Sequence, residues 1–253
     1  MKSLIFGLIA AVAGAGIWAA DAPAPTAEAL AGQQALAVAP TCNTAGARNP
    51  HNGFFEDPSR GTPTGAQAEI TVRGSTPCTS SFTYNYVMLY ERSSAANDWL
   101  QVGYRKNGIQ PTTHSGQRNS NGSLYDWYGS HVYDGDVHTY RVHDTLSGSG
   151  AYALTAFVDG TAVMSYIDSD TNPHWSGGTY LEFSQEAYYL PSNVPGTPSR
   201  PATIANMTYF TPSGTSGYPV DCGLINYVNN NPSHWGHSFT SCDTQPLYTS
   251  QPY

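Results

Sequence analysis

The sequence predicts an all-β protein, a sandwich or barrel of short antiparallel strands. Apolar and polar residues alternate with a period of two over many short runs. Clusters of Gly, Pro and Asn punctuate those runs. Beyond the N-terminal segment no stretch combines a 3.6-residue apolar period with capping residues. Many short strands between turn residues build a sandwich or a barrel.

Taken in order, Met1-Lys2 precedes an apolar run from Leu4 to Ala20, followed by Ala20-Asp-Ala22. One positive charge, an apolar centre and small residues describe a secretory signal peptide over 1–22. An uncleaved anchor is the alternative, although the run is barely long enough to span a bilayer. Residues 23–45, rich in Ala and Pro, read as a linker or short propeptide. A β-sandwich domain is expected over 46–211, with strands at 68–72, 84–90, 99–105, 124–128, 137–143, 151–158, 161–167, 179–189 and 203–210. Asp159-Gly160 between two apolar runs predicts a hairpin, because both residues tolerate positive φ. Gly148-Ser-Gly150 marks another turn. The segment 212–253 is polar and without alternation, and reads as an irregular C-terminal extension.

Only 11% of residues are charged, and 18 Tyr, 25 Gly and 18 Pro take much of the remaining space. A surface of neutral polar groups suits a secreted β protein in acidic surroundings. The net charge of −8 leaves no basic patch for phosphate, so nucleic acid is not an expected partner. A secreted, extracellular monomer is expected, with no membrane association once the signal is removed. Cys42, Cys78, Cys222 and Cys242 in an exported chain read as disulfides, and three connectivities are open. Cys42–Cys78 and Cys222–Cys242 are favoured because each pair brackets one end of the chain, the second stapling the C-terminal extension. No Cys-x-x-Cys spacing, phosphate loop or His-Glu-x-x-His occurs, so neither metal nor cofactor is expected. His234-Trp-Gly-His237 offers two ligands without an evident third.

Two strands carry the candidate chemistry. In Trp99-Leu-Gln-Val-Gly-Tyr-Arg105, alternation sets Leu100, Val102 and Tyr104 on one face and Trp99, Gln101 and Gly103 on the other. In Tyr180-Leu-Glu-Phe-Ser-Gln-Glu186, Leu181 and Phe183 oppose Glu182, Ser184 and Glu186. A carboxylate can activate water as general base and return the proton to a leaving amine. A neutral amide can donate to a developing oxyanion. Glu182 and Gln101 together therefore fit peptide hydrolysis without a serine, cysteine or metal. Glu182 and Glu186 do not fit a glycosidase pair: four residues of strand span about 13 Å, against about 5–9.5 Å between paired carboxylates. Tyr84, Tyr86, Tyr125, Trp127, Tyr128, Tyr180 and Tyr188 offer faces for sugar rings, so a non-catalytic, lectin-like carbohydrate-binding protein is the alternative; a structural cell-surface protein is a third reading.

Leu100-Gln-Val-Gly103 resembles the Leu-Gln-Thr-Gly segment that carries the catalytic glutamine of the glutamic peptidases, the eqolisins. Tyr125-Asp-Trp-Tyr128 is similar to that family's Tyr-Glu-Trp-Tyr, and Gly135-Asp136 precedes the next strand in both. Leu181-Glu-Phe-Ser-Gln-Glu186 resembles the family's Ala-Glu-Trp-Ile-Val-Glu. The order of segments agrees over roughly 66–211. More distantly the chain resembles the neprosins, which use two glutamates; Gln101 stands where the first would fall. The resemblance implies a concanavalin-like (jelly-roll) sandwich of two antiparallel sheets with a site on the concave face. It implies an acid endopeptidase acting on polypeptide, with Glu182 and Gln101 catalytic and Glu186, Trp127 and Tyr125 in support. The family's Trp and nearby Asp, in the strand before the glutamine, stand here as Tyr86 and Tyr90. Tyr86 and Trp99 complete the expected substrate-binding set.

Overall fold

The computed structural model describes residues 40–56, 63–91, 98–120, 123–146, 152–168, 179–211, 217–220, 225–238, 240–241 and 244–253. In chain order the strands are β1 (Asn43–Arg48), β2 (His51–Glu56), β3 (Gly65–Thr71), β4 (Phe82–Glu91), β5 (Trp99–Asn107), β6 (Thr113–Ser120), β7 (Ser123–His131), β8 (Val137–Leu146), β9 (Tyr152–Val158), β10 (Thr161–Asp168), β11 (Thr179–Ala187), β12 (Tyr189–Leu190), β13 (Gly196–Thr197), β14 (Arg200–Phe210), β15 (Tyr218–Pro219), β16 (Ile225–Asn229), β17 (Trp235–His237) and β18 (Thr244–Thr249). Seven form a front sheet in the order β16-β2-β11-β4-β5-β6-β7. Nine form a back sheet in the order β10-β9-β8-β3-β14-β18-β17, with β13 and β15 attached to β14. A two-stranded sheet joins β1 to β12. Neighbouring strands pair antiparallel throughout, and the chain passes repeatedly between the two large sheets, as a jelly-roll sandwich requires.

Alternation accounts for the packing. Val87 and Leu89 of β4, Leu100 and Val102 of β5, and Leu181 and Phe183 of β11 turn inward from the front sheet. They meet Ala68, Ile70, Val142, Ala156, Ile204 and Met207 from the back sheet in one continuous core. Each fully buried side chain of this size contributes about 1.5–3 kcal/mol relative to exposure. Residues between these positions face outward from the front sheet, and there Tyr84, Tyr86 and Met88 form a second, smaller cluster. The Asp159-Gly160 hairpin is present, with φ of 49° and 78°.

The C-terminal region corrects the sequence reading. The segment expected to be an irregular extension supplies β15, β17 and β18 to the back sheet and β16 to the edge of the front sheet. Leu247 of β18 is fully buried in the core. In β18 the buried positions are Gln245, Leu247 and Thr249, so alternation exists but only one of the three is apolar. Pro246 also argued against an internal strand; it is accommodated because β17 ends at His237, opposite Leu247. Cys42 and Cys78 are bonded, with Cα atoms 5.0 Å apart. Residues 1–39, the Gly148 turn, Cys222 and Cys242 lie outside the described residues, and with them the expected signal peptide, most of the linker and the second disulfide.

Candidate active site

The register of the front sheet sets the site. Glu182 stands opposite Met88, Met88 opposite Gln101, Gln101 opposite Gln117, and Gln117 opposite Asp126. On the other side Phe55 of β2 pairs with Glu182. Directly paired residues share a face, so these side chains form one row across the sheet, on the side away from the core. With strands about 4.8 Å apart, the backbones of Glu182 and Gln101 stand roughly 9.6 Å apart, with Met88 between them. Both side chains line a cavity of about 360 Å³ whose floor includes Met88.

Glu182 is 2% exposed, and its Oε1 is held from two sides. Tyr86 donates its hydroxyl hydrogen to Oε1 at 2.6 Å, and His51 Nδ1 lies 3.0 Å from the same oxygen. His51 Nδ1 is also 3.0 Å from the Tyr86 hydroxyl. Burial works to lower the His51 pKa, but the charge and hydrogen bond of Glu182, with the charge of Glu186, prevail and raise it to about 9. His51 is therefore an imidazolium at neutral and acidic pH. Burial first, then the neighbouring Glu182, push Tyr86 well above the ordinary phenol range, so it stays a donor.

Gln101 belongs to a chain of amides. Its Nε2 donates to Gln117 Oε1 at 2.7 Å, and Gln117 Nε2 donates to Asp126 Oδ1. Arg105 approaches Asp126 at 3.4 Å while stacking over Phe82. Asp126 Oδ1 accepts at the end of this chain, and that acceptor sets the order of the whole chain. Gln117 must turn its NH2 to Asp126 and its oxygen to Gln101, which must in turn present its NH2. One N–H of Gln101 is used on Gln117 and the other remains for a ligand.

Glu186, 6% exposed, lines the same cavity two pleat repeats further along β11. No register shift interrupts β11 against β2 or β4, so the four-residue spacing from Glu182 is kept. Burial is the main cause raising Glu186 to about 7; Glu182 adds to it, and the His51 and Arg105 charges work against it. Trp99, Tyr90 and Leu124 wall one end of the cavity, and Phe82 and Tyr188 the other. Tyr84 reaches from β4 across β5 to the carbonyl of Ser115 on β6, at 2.7 Å. That crossing passes beside Gly103, where an added Cβ would meet the Asn85 backbone and lie 2.7 Å from Tyr86 Cα.

Of the residues expected from sequence, Glu182, Gln101, Glu186, Tyr86 and Trp99 are brought to this one cavity. Trp127 and Tyr125 are not, and this corrects their assignment. Trp127 pairs with Gly116 and packs against the core, while Tyr125 stacks on Arg118 on that same inner face. The side chain of β7 in the site row is Asp126, since alternation sends it opposite to both aromatics. His234 bonds to the Gln251 carbonyl and stacks on Tyr253, whereas His237 packs against Tyr227. His51, Gln117 and Asp126 are the site residues that sequence reasoning missed. Asp126 lay inside a motif already singled out and was recoverable by alternation; β2 and β6 carry too little apolar pattern to announce themselves.

No protein-family model matches this chain, and no curated protein matches it in sequence. Solved structures do resemble it. Scytalido-glutamic peptidase bound to a transition-state analogue inhibitor superposes with a TM-score of 0.56 at 12% identity, covering 79% of this chain and 98% of that one. SCP-B, an eqolisin bound to the tripeptide Ala-Ile-His, superposes with a TM-score of 0.51, also at 12% identity and with the same coverage. The fold is an eqolisin-like sandwich. At this identity the likeness concerns the fold, and the chemistry must be argued from the residues of the cavity.

Proposed function

We propose that the protein is a glutamic-type peptidase that hydrolyses peptide bonds at acidic pH. The observation that carries the reading is a buried carboxylate facing the same cavity as an amide whose donor side is set by its neighbours. With Oε1 of Glu182 held by Tyr86 and His51, Oε2 serves as the base. It takes a proton from water as the water oxygen bonds to the scissile carbonyl carbon. The free N–H of Gln101 donates to the oxyanion that forms. The protonated Glu182 then gives its proton to the amide nitrogen, the C–N bond breaks, and the carboxylate is restored. No activated hydroxyl or thiol takes part.

The Cys42–Cys78 bond supports an oxidising, extracytosolic setting. Among the described residues no helix is long and apolar enough to cross a membrane. The aromatic walls of the cavity favour glycan binding as a second reading, in which stacking on Trp99 and Tyr90 supplies affinity. A binding site has no use for a buried, ion-paired Glu182. Incubation with denatured casein from pH 2 to 7, beside Glu182→Gln, separates the two. Acid-dependent cleavage lost in the variant supports the peptidase; no cleavage by folded protein at any pH overturns it.

A further inference from the structure

The strongest unassigned feature is the three-way contact of His51, Tyr86 and Glu182. His51 opens β2, a strand whose pairing with β11 places it directly opposite Glu186 and one pleat repeat from the Ser184–Gly53 pair. Ser184 and Gly53 are the small residues between the two acid rows, and a Cβ on Gly53 would collide with the Ser184 backbone. The low ground there lets the imidazole lean along the sheet to Glu182 rather than stop at its own partner Glu186. Its backbone is fixed as well: the His51 N–H donates to Asn230 Oδ1 at 2.8 Å.

We propose that His51 is a positioning residue of the glutamic-peptidase site, its ring acting with the Tyr86 hydroxyl to hold Oε1 of Glu182 and to aim the free Oε2 at water. The proposal rests on the peptidase reading above. Its physical basis is the cost of a buried carboxylate: without a cation or several donors, burial favours the neutral acid, which cannot act as a base. His51 supplies the cation and Tyr86 the second donor, both on Oε1. The groups facing His51 are Glu182 and Glu186 from β11 and Tyr86 from β4; on the β16 side its neighbour is the neutral Asn230. Two acids and one imidazolium share the pocket. Because Glu186 is pushed toward its neutral form, the charge of His51 is committed chiefly to Glu182.

The test has two arms. In the first, the His51 imidazole is titrated by NMR in the wild type and in Glu182→Gln. A midpoint that falls by more than one pH unit in the variant supports the pair, and equal midpoints overturn it. In the second, kcat/KM for peptide cleavage is measured from pH 2 to 7 in the wild type and in His51→Asn, which keeps a donor near Nδ1 without the charge. The acidic limb should move upward by about one unit or more, a tenfold or greater loss at the acid end, with a smaller loss near pH 6. A uniformly scaled profile with its limb unmoved overturns the positioning role. Absence of hydrolysis by the wild type overturns the peptidase reading and the role together, while the NMR arm still decides whether the pair exists.

Discussion

Replacing Glu186 by Gln should make the protein relatively more stable at neutral pH and leave it little changed in acid. A carboxyl raised from 4.5 to about 7 holds its proton more tightly in the native than in the unfolded chain. Its contribution is therefore whole below pH 4.5 and is lost as pH rises through about 7. The size of the rise corresponds to about 3 kcal/mol, a difference of roughly 6–12 °C in Tm for a domain of this length. The wild-type curve alone will hide this. His114, lowered to about 4 chiefly by burial and then by the His138 charge, acts in the opposite sense. Its contribution is whole above pH 6.5 and is lost as pH falls through about 4, so the two groups nearly offset between pH 4 and 7. His51 remains charged across that window, with its pKa at about 9. The assay is thermal unfolding followed by circular dichroism at pH 4 and pH 7.5, on wild type and Glu186→Gln. The Tm of the variant minus that of the wild type should rise by several degrees between the two pH values. A difference that is the same at both would refute the claim that Glu186 is buried at cost.

Three further outcomes follow from the same geometry. Asp126→Asn puts an amide, with donors of its own, where the terminal acceptor of the amide chain stands, and should lower kcat about tenfold with KM little changed; steady-state kinetics at the optimum pH checks it, and a pure KM effect counts against the relay. Gly103→Ala drives a methyl group into the Asn85 and Tyr86 backbone, and should cost about 1–3 kcal/mol or more in urea unfolding. Replacing Cys42 and Cys78 together by Ser removes a crosslink between residues 36 apart in sequence, which the chain-entropy model values at about 4 kcal/mol. Chemical denaturation of the double variant should show a loss of that order, and an unchanged midpoint would mean that β1 is held by its pairing alone.

Much of the fold was legible because the strands of its centre are amphipathic. β4, β5 and β11 each turn aliphatic residues to the core and polar or aromatic residues outward, and simple alternation already set Gln101 and Glu182 on the outer face. β6 was illegible for the opposite reason: Thr113–Ser120 contains no aliphatic residue and no Phe, Tyr or Trp, and its place is fixed by pairing with neighbours on both sides. β18 hid behind Pro246 and two polar core positions. At the site, sequence spacing cannot report which residues of distant strands stand in register. Glu182, Met88, Gln101, Gln117 and Asp126 form a row only through four successive pairings, each of which a one-residue slip would turn inside out. The same alternation rule, applied to β7, would have replaced Trp127 and Tyr125 with Asp126. His51 lay beyond such reasoning, because its value comes from leaning along the sheet to an acid that is not its direct partner.

The central claim is that Glu182 and Gln101 act in one step, as base and oxyanion donor. A double-mutant cycle on kcat/KM at acidic pH tests it most directly, using Glu182→Gln, Gln101→Ala and the pair combined. Removing the base should cost about 10²–10⁴-fold, and the combined variant should be hardly worse than Glu182→Gln alone. Wild-type activity in Glu182→Gln, or losses that multiply independently, would contradict the account.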